Sequence, residues 1–76
     1  MPRLTPIHCK KLIKIFEADG WKYNRTKGDH FVYVKKGFKR PIVIPLRKDV
    51  AVHIVKRNMD TAEMARERYF ELLKKA

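Results

Sequence analysis

The sequence predicts an α+β fold in the order α-β-β-β-α-α, with a three-stranded antiparallel sheet packed on helices. Three observations carry this expectation. Apolar residues recur at helical spacing before Gly20, three short runs rich in aromatic and β-branched residues fill Trp21 to Ile44, and helix-capping residues punctuate the chain from Asp49 onward. With 76 residues, 45% of them hydrophobic, there is material for one small core and too little chain for two, so residues 1–76 are expected to form a single domain.

The first helix is expected to start at Thr5-Pro6, an N-cap followed by proline at the first helical position. Cys9, Leu12, Ile13 and Phe16 fall at i, i+3, i+4 and i+7, while Lys10, Lys11 and Lys14 lie largely on the other face. Leu4 is placed to staple onto Cys9, and Gly20 supplies a left-handed stop. The runs Trp21–Lys27, His30–Lys36 and Phe38–Ile44 then read as strands, with Gly28-Asp29 and Lys36-Gly37 as the tight turns of a meander. Pro41 has no N–H for a ladder, which sends its strand to an edge or a bulge. Asp49 is the expected N-cap of a second helix reaching about Asn58. Asp60 is the expected cap of a third, with Glu63 at its N3 position, Ala62, Ala65, Tyr69, Leu72 and Leu73 as its apolar stripe, and Lys74-Lys75 complementing its dipole.

Nineteen Lys and Arg against eight Asp and Glu leave a net charge of +11. Residues 20–48 alone hold nine basic side chains and one acidic, a net +8, whereas the segments before and after hold +2 and +1. Such an excess points to a polyanion or a strongly acidic protein as partner, with the open face of the sheet and its loops as the docking surface. It also disfavours carboxylate-rich metal sites. A single cysteine, Cys9, rules out an internal disulfide framework, and three histidines offer no zinc-site spacing, so no metal and no cofactor is expected. The segment Met1-Pro2-Arg3-Leu4-Thr5-Pro6 lacks the apolar run of a signal peptide, and no stretch approaches a membrane span; a cytoplasmic location is expected.

Common catalytic signatures are absent: there is no P-loop, no Gly-x-Ser-x-Gly and no His-Glu-x-x-His. What stands out is a histidine among cations. In Lys27-Gly28-Asp29-His30, the imidazole comes at the first position of a strand, just past a glycine turn. Imidazole moves protons near neutral pH because its unperturbed pKa is about 6.5. Beside a bound RNA, it is suited to take the proton of a 2′-hydroxyl attacking the adjacent phosphorus, or to protonate the departing 5′-oxygen, while Lys and Arg stabilise the phosphorane. DNA lacks the 2′-hydroxyl and would be bound without being cut. On pattern alone His30 is better accounted for as an ordinary strand residue. Cys9, Tyr33, Met59 and Met64 read as core, Trp21 as an anchor of the sheet to the helices, and His8 and His53 as surface or packing residues. A third possibility, a helix-turn-helix DNA reader in Asp49–Lys74, is disfavoured by that segment's low net charge and a turn without glycine.

Four segments together resemble the HicA toxins of toxin–antitoxin pairs: Glu17-Ala18-Asp19-Gly20-Trp21 ending the first helix, the Lys27-Gly28-Asp29-His30 turn, Ile42-Val43-Ile44-Pro45, and Val52-His53-Ile54-Val55-Lys56-Arg57. The resemblance implies a double-stranded-RNA-binding-domain-like fold and an endoribonuclease that cleaves mRNA without a metal. It implies His30 as the catalytic residue and a HicB-like antitoxin as the protein partner that blocks the site. Many members of that family have serine where Asp29 stands. The expected RNA contacts are Lys27, Gly28, Lys35, Lys36, Lys39 and Arg40, with Lys27, Lys35 and Arg40 foremost for phosphate. The competing function is a non-catalytic RNA-binding module of the same fold.

Overall fold

A computed structural model describes residues 3–76; Met1 and Pro2, which contribute to the expected absence of a leader, lie outside the described residues. The elements follow in the order α1 (Cys9–Ala18), β1 (Lys22–Lys27), β2 (His30–Val34), β3 (Ile42–Pro45), α2 (Val52–Thr61) and α3 (Arg66–Lys75). The strands form one antiparallel sheet of order β1-β2-β3, as the meander expectation requires. Helix, three-stranded antiparallel sheet, then helices is the double-stranded-RNA-binding-domain-like α+β arrangement.

Helix α1 starts three residues later than the Thr5-Pro6 cap predicts. Its N-cap is His8, whose Nδ1 accepts from the Lys10 backbone N–H at 3.1 Å. The competing interaction is tertiary: Ile7 pairs with Val50 through backbone bonds of 3.2 and 2.7 Å, which holds the residues before His8 extended. The staple positions around a His8 cap are thus Ile7 and Leu12, both buried, rather than Leu4 and Cys9. At the other end Gly20 behaves as expected. With φ +99° it closes a Schellman motif in which Trp21 N–H donates to Phe16 O and Gly20 N–H to Glu17 O, both at 3.0 Å.

Several boundaries differ from expectation after the sheet begins. Strand β3 starts at Ile42 rather than Phe38, because Phe38 N–H donates to Lys35 O in a turn and the Phe38 ring stacks against Trp21 at 5.1 Å. Helix α2 is capped by Ala51 rather than Asp49, since Val50 is committed to the bridge with Ile7. It then runs through Asp60, the expected cap of the third helix, to Thr61, and α3 is capped by Ala65. Between them Glu63 adopts φ +52°, and Met64 N–H donates to Met59 O while Glu63 N–H donates to Asp60 O. This is a second Schellman motif, with glutamate where glycine is usual.

One face of the sheet is buried. Tyr33, Ile42 and Ile44 join Leu12, Ile15 and Phe16 of α1, Val55 and Met59 of α2, and Tyr69 and Leu72 of α3 in a single core. Trp21 is buried between Phe16, edge-on at 6.5 Å, and Phe38, and so ties the sheet to α1 as expected. No helix is long and apolar enough to cross a membrane.

Candidate nucleic-acid interface and proton-transfer site

The side of the sheet turned away from α1 is built by register. Lys27 faces His30, Arg25 faces Val32 and Lys22 faces Val34 across β1 and β2, and His30 and Val32 face Pro45 and Val43 on β3. Directly paired residues project to the same side of a sheet, so three cations of β1 share the face of His30, with Lys27 directly opposite it. The register shift between Tyr23 and Arg25 makes this possible. Asn24 is the extra residue of the bulge, which returns Tyr23 to the inner side, where its ring meets Tyr33 at 5.8 Å, and leaves Lys22 outside with Arg25 and Lys27.

His30 is fixed by the turn that precedes it. Gly28 takes φ +61° while Asp29 stays at negative φ, the pattern of a type II′ hairpin turn that favours glycine at its first position. The Asp29 carbonyl accepts from Leu46 N–H at 2.7 Å, which ties the turn to the end of β3. The Asp29 carboxylate lies 2.8 Å from His30 Nδ1. An ionised carboxylate only accepts, so Nδ1 carries the hydrogen and Nε2 is the nitrogen left for a substrate. The imidazole is 46% exposed and within reach of ligands from solvent.

Helix α2 supplies the far wall. Asn58 is buried, only 4% exposed, and its side-chain amide donates to Val43 O at 3.1 Å on the outer edge of β3. The helix thereby satisfies an edge carbonyl and covers that edge. Between α2 and the sheet lies a recess of about 280 Å³ whose lining includes His30, Pro41, Val43 and Arg57. A second depression, about 440 Å³, lies over β1 and the turn and is lined by Arg25, Lys27, Gly28, Asp29 and His30 among others. His30 stands where the two meet. A third, about 450 Å³, continues past Arg57 to Lys39 and Arg40.

The expected RNA contacts thus fall into three places. Lys27 and Gly28 adjoin His30; Lys39 and Arg40 line the third depression; Lys36 is exposed in the turn before Gly37. Lys35 is engaged elsewhere: its ammonium donates to the Asp19 carbonyl at 2.6 Å, lies 3.7 Å from the Asp19 carboxylate and sits over the Phe38 ring. Two cations not expected from sequence join the site. Arg25 was legible, being two residues from Lys27 on the same strand face; Arg57 comes to line the same recess as His30 only through the packing of α2 on β3. Among the described residues no three His, Cys, Asp or Glu side chains gather as metal ligands would. Tyr33, on the inner side, is held neutral beyond the usual phenol range first by burial and then by the charge of Glu17 and by Tyr23.

A family model, that of the HicA toxin of bacterial toxin–antitoxin systems, matches residues 9–64, about three quarters of the chain. The match spans α1, the whole sheet and α2, including His30 and both walls of the recess, and α3 lies beyond it. Comparison with curated proteins and with solved structures gives no match.

Proposed function

The chain belongs to the HicA toxin family of toxin–antitoxin systems, and from that premise we propose that it is an endoribonuclease that cleaves mRNA by proton transfer at His30, without a metal ion. The observation that carries this reading is an imidazole oriented by a carboxylate at 2.8 Å and set at the junction of two cation-lined depressions. With Nδ1 bonded to Asp29, Nε2 accepts the proton of a ribose 2′-hydroxyl. The freed oxygen attacks the adjacent phosphorus, the P–O5′ bond breaks with its electron pair on O5′, and the imidazolium returns a proton to that oxygen. The products are a 2′,3′-cyclic phosphate and a 5′-hydroxyl, and His30 ends the cycle as it began. Lys27 and Arg25 flank the position of the phosphorane and stabilise its added negative charge.

The partner that silences such a toxin is a HicB-like antitoxin, which would cover the same cationic face. An acidic antitoxin should associate fast, slow down with added salt, and protect RNA from cutting. The site itself is tested by incubating single-stranded RNA with the protein and with His30→Ala in excess chelator. Removing a positioned acid–base group costs about 10²–10⁴-fold in rate; a loss of that size at His30→Ala supports the assignment. Equal rates in the two proteins would overturn it, and no cutting by either, with binding intact, would leave an RNA-binding module.

A further inference from the structure

Arg57 is the residue on which the outer surface turns. It lines both the recess that holds His30 and the depression beyond it, as Thr61 does, just as His30, Pro41 and Val43 line both the recess and the depression over β1. The three hollows are therefore one track, from Arg25 and Lys27, past His30, over the ledge of Pro41 and Val43, to Arg57, and on to Lys39 and Arg40. Among the described residues Arg57 makes no ion pair and no side-chain hydrogen bond, although Asp60 stands three residues further along α2. By contrast, Arg68 is held by Asp19 and Glu71, and Lys35 by Asp19. A free guanidinium at the midpoint of a track whose cations recur at its start, middle and end fits a ligand with repeating negative charge.

Resting on the ribonuclease assignment above, we propose that Arg57 grips the phosphate next to the scissile one, so that a single RNA strand runs off the sheet and onto α2. The next phosphate lies between Lys39 and Arg40. There the track ends, because Asp60 and Glu63 line the same depression and repel a further phosphate. The ligand is a single strand, which can enter a recess set between a strand and a helix. In-line attack also requires a backbone free to rotate, which a paired strand is not. Three phosphates, at Lys27, Arg57 and Lys39–Arg40, at roughly 0.7 each, give a plot of log affinity against log salt with a slope near −2.

The test uses the full chain carrying His30→Ala, so that RNA stays intact, and reads the affinity for a short single-stranded oligoribonucleotide and for its duplex across a salt series. Arg57→Gln should weaken single-strand binding about tenfold and make the slope shallower by about 0.7. Arg57→Lys should keep the slope and lose only part of the affinity. Lys56→Gln, an exposed neighbour outside the track, should change either quantity less than about twofold. Unchanged thermal melting would show that each variant is folded. Equal effects of Arg57→Gln and Lys56→Gln, or an equal loss on duplex, would overturn the path while leaving the ribonuclease assignment standing. Failure of the His30→Ala protein to bind single-stranded RNA, together with failure of the wild-type protein to cut it, would remove both.

Discussion

At His30 a single neighbour decides what the imidazole can do. Asp29 presents its carboxylate 2.8 Å from Nδ1, which fixes the tautomer and frees Nε2. The expected result for Asp29→Asn is a fall in kcat of about tenfold with KM little changed, because an amide that turns its NH₂ toward Nδ1 holds the wrong tautomer while the phosphate contacts remain. Steady-state kinetics on a single-stranded RNA separates the two parameters; a fall in KM with kcat unchanged would instead assign Asp29 to phosphate repulsion. Lys35 is the opposite case. Its bonds to Asp19 make it a staple between the end of β2 and the C-terminus of α1. Lys35→Met should cost about 1–2 kcal/mol in denaturant unfolding and leave the salt slope of RNA binding intact. His30 was legible in the sequence because the turn that exposes it is local, four consecutive residues long. Arg57 was not, because its place beside His30 depends on the Asn58 bond to Val43, fifteen residues away.

The elements show the same division between local and long-range causes. The helical spacing of Leu12 and Phe16, the glycine stop at Gly20 and the aromatic and β-branched run of β2 are local, and the structure reproduces them. The misplaced starts of α1 and α2 share one cause. Ile7 and Val50 pair with each other, so the chain on both sides stays extended past Thr5 and Asp49, and no pattern within either segment announces a partner more than forty residues distant. The turn after α2 adds a strain that the sequence hides. Glu63 holds a left-handed conformation that costs an L-residue about 1 kcal/mol. Glu63→Gly should therefore stabilise the fold by about 1 kcal/mol and raise the melting temperature by about 4–8 °C in a domain of this size. A lower melting temperature would mean that the glutamate side chain contributes more than the strain removes.

Across the whole molecule, the net charge of +11 is sorted rather than spread. Lys22, Arg25, Lys27 and Arg57 converge on the outer side of the sheet, while Lys35 and Arg68 are drawn into ion pairs at the α1 terminus. Two phenols of the core bear on stability in alkali. Burial raises the phenols of Tyr33 and Tyr69, with Glu17 and Tyr23 adding to the rise at Tyr33. Above about pH 10 the unfolded chain therefore loses protons that the folded chain keeps, and stability falls as pH rises. Below that range the contribution is fully present. Melting temperatures should be level through neutral pH and drop toward pH 11 or so, with a shallower drop in Tyr69→Phe; an equal drop in both would place the alkaline sensitivity elsewhere. The central claim, cleavage through the 2′-oxygen by His30, is tested most directly by the mass of the RNA fragments released in excess chelator. The account predicts 2′,3′-cyclic or 3′-phosphate ends opposite 5′-hydroxyls, made by the wild-type protein and not by His30→Ala. Fragments ending in 3′-hydroxyls and 5′-phosphates would contradict it, because their chemistry needs an attacking water and leaves the 2′-oxygen out.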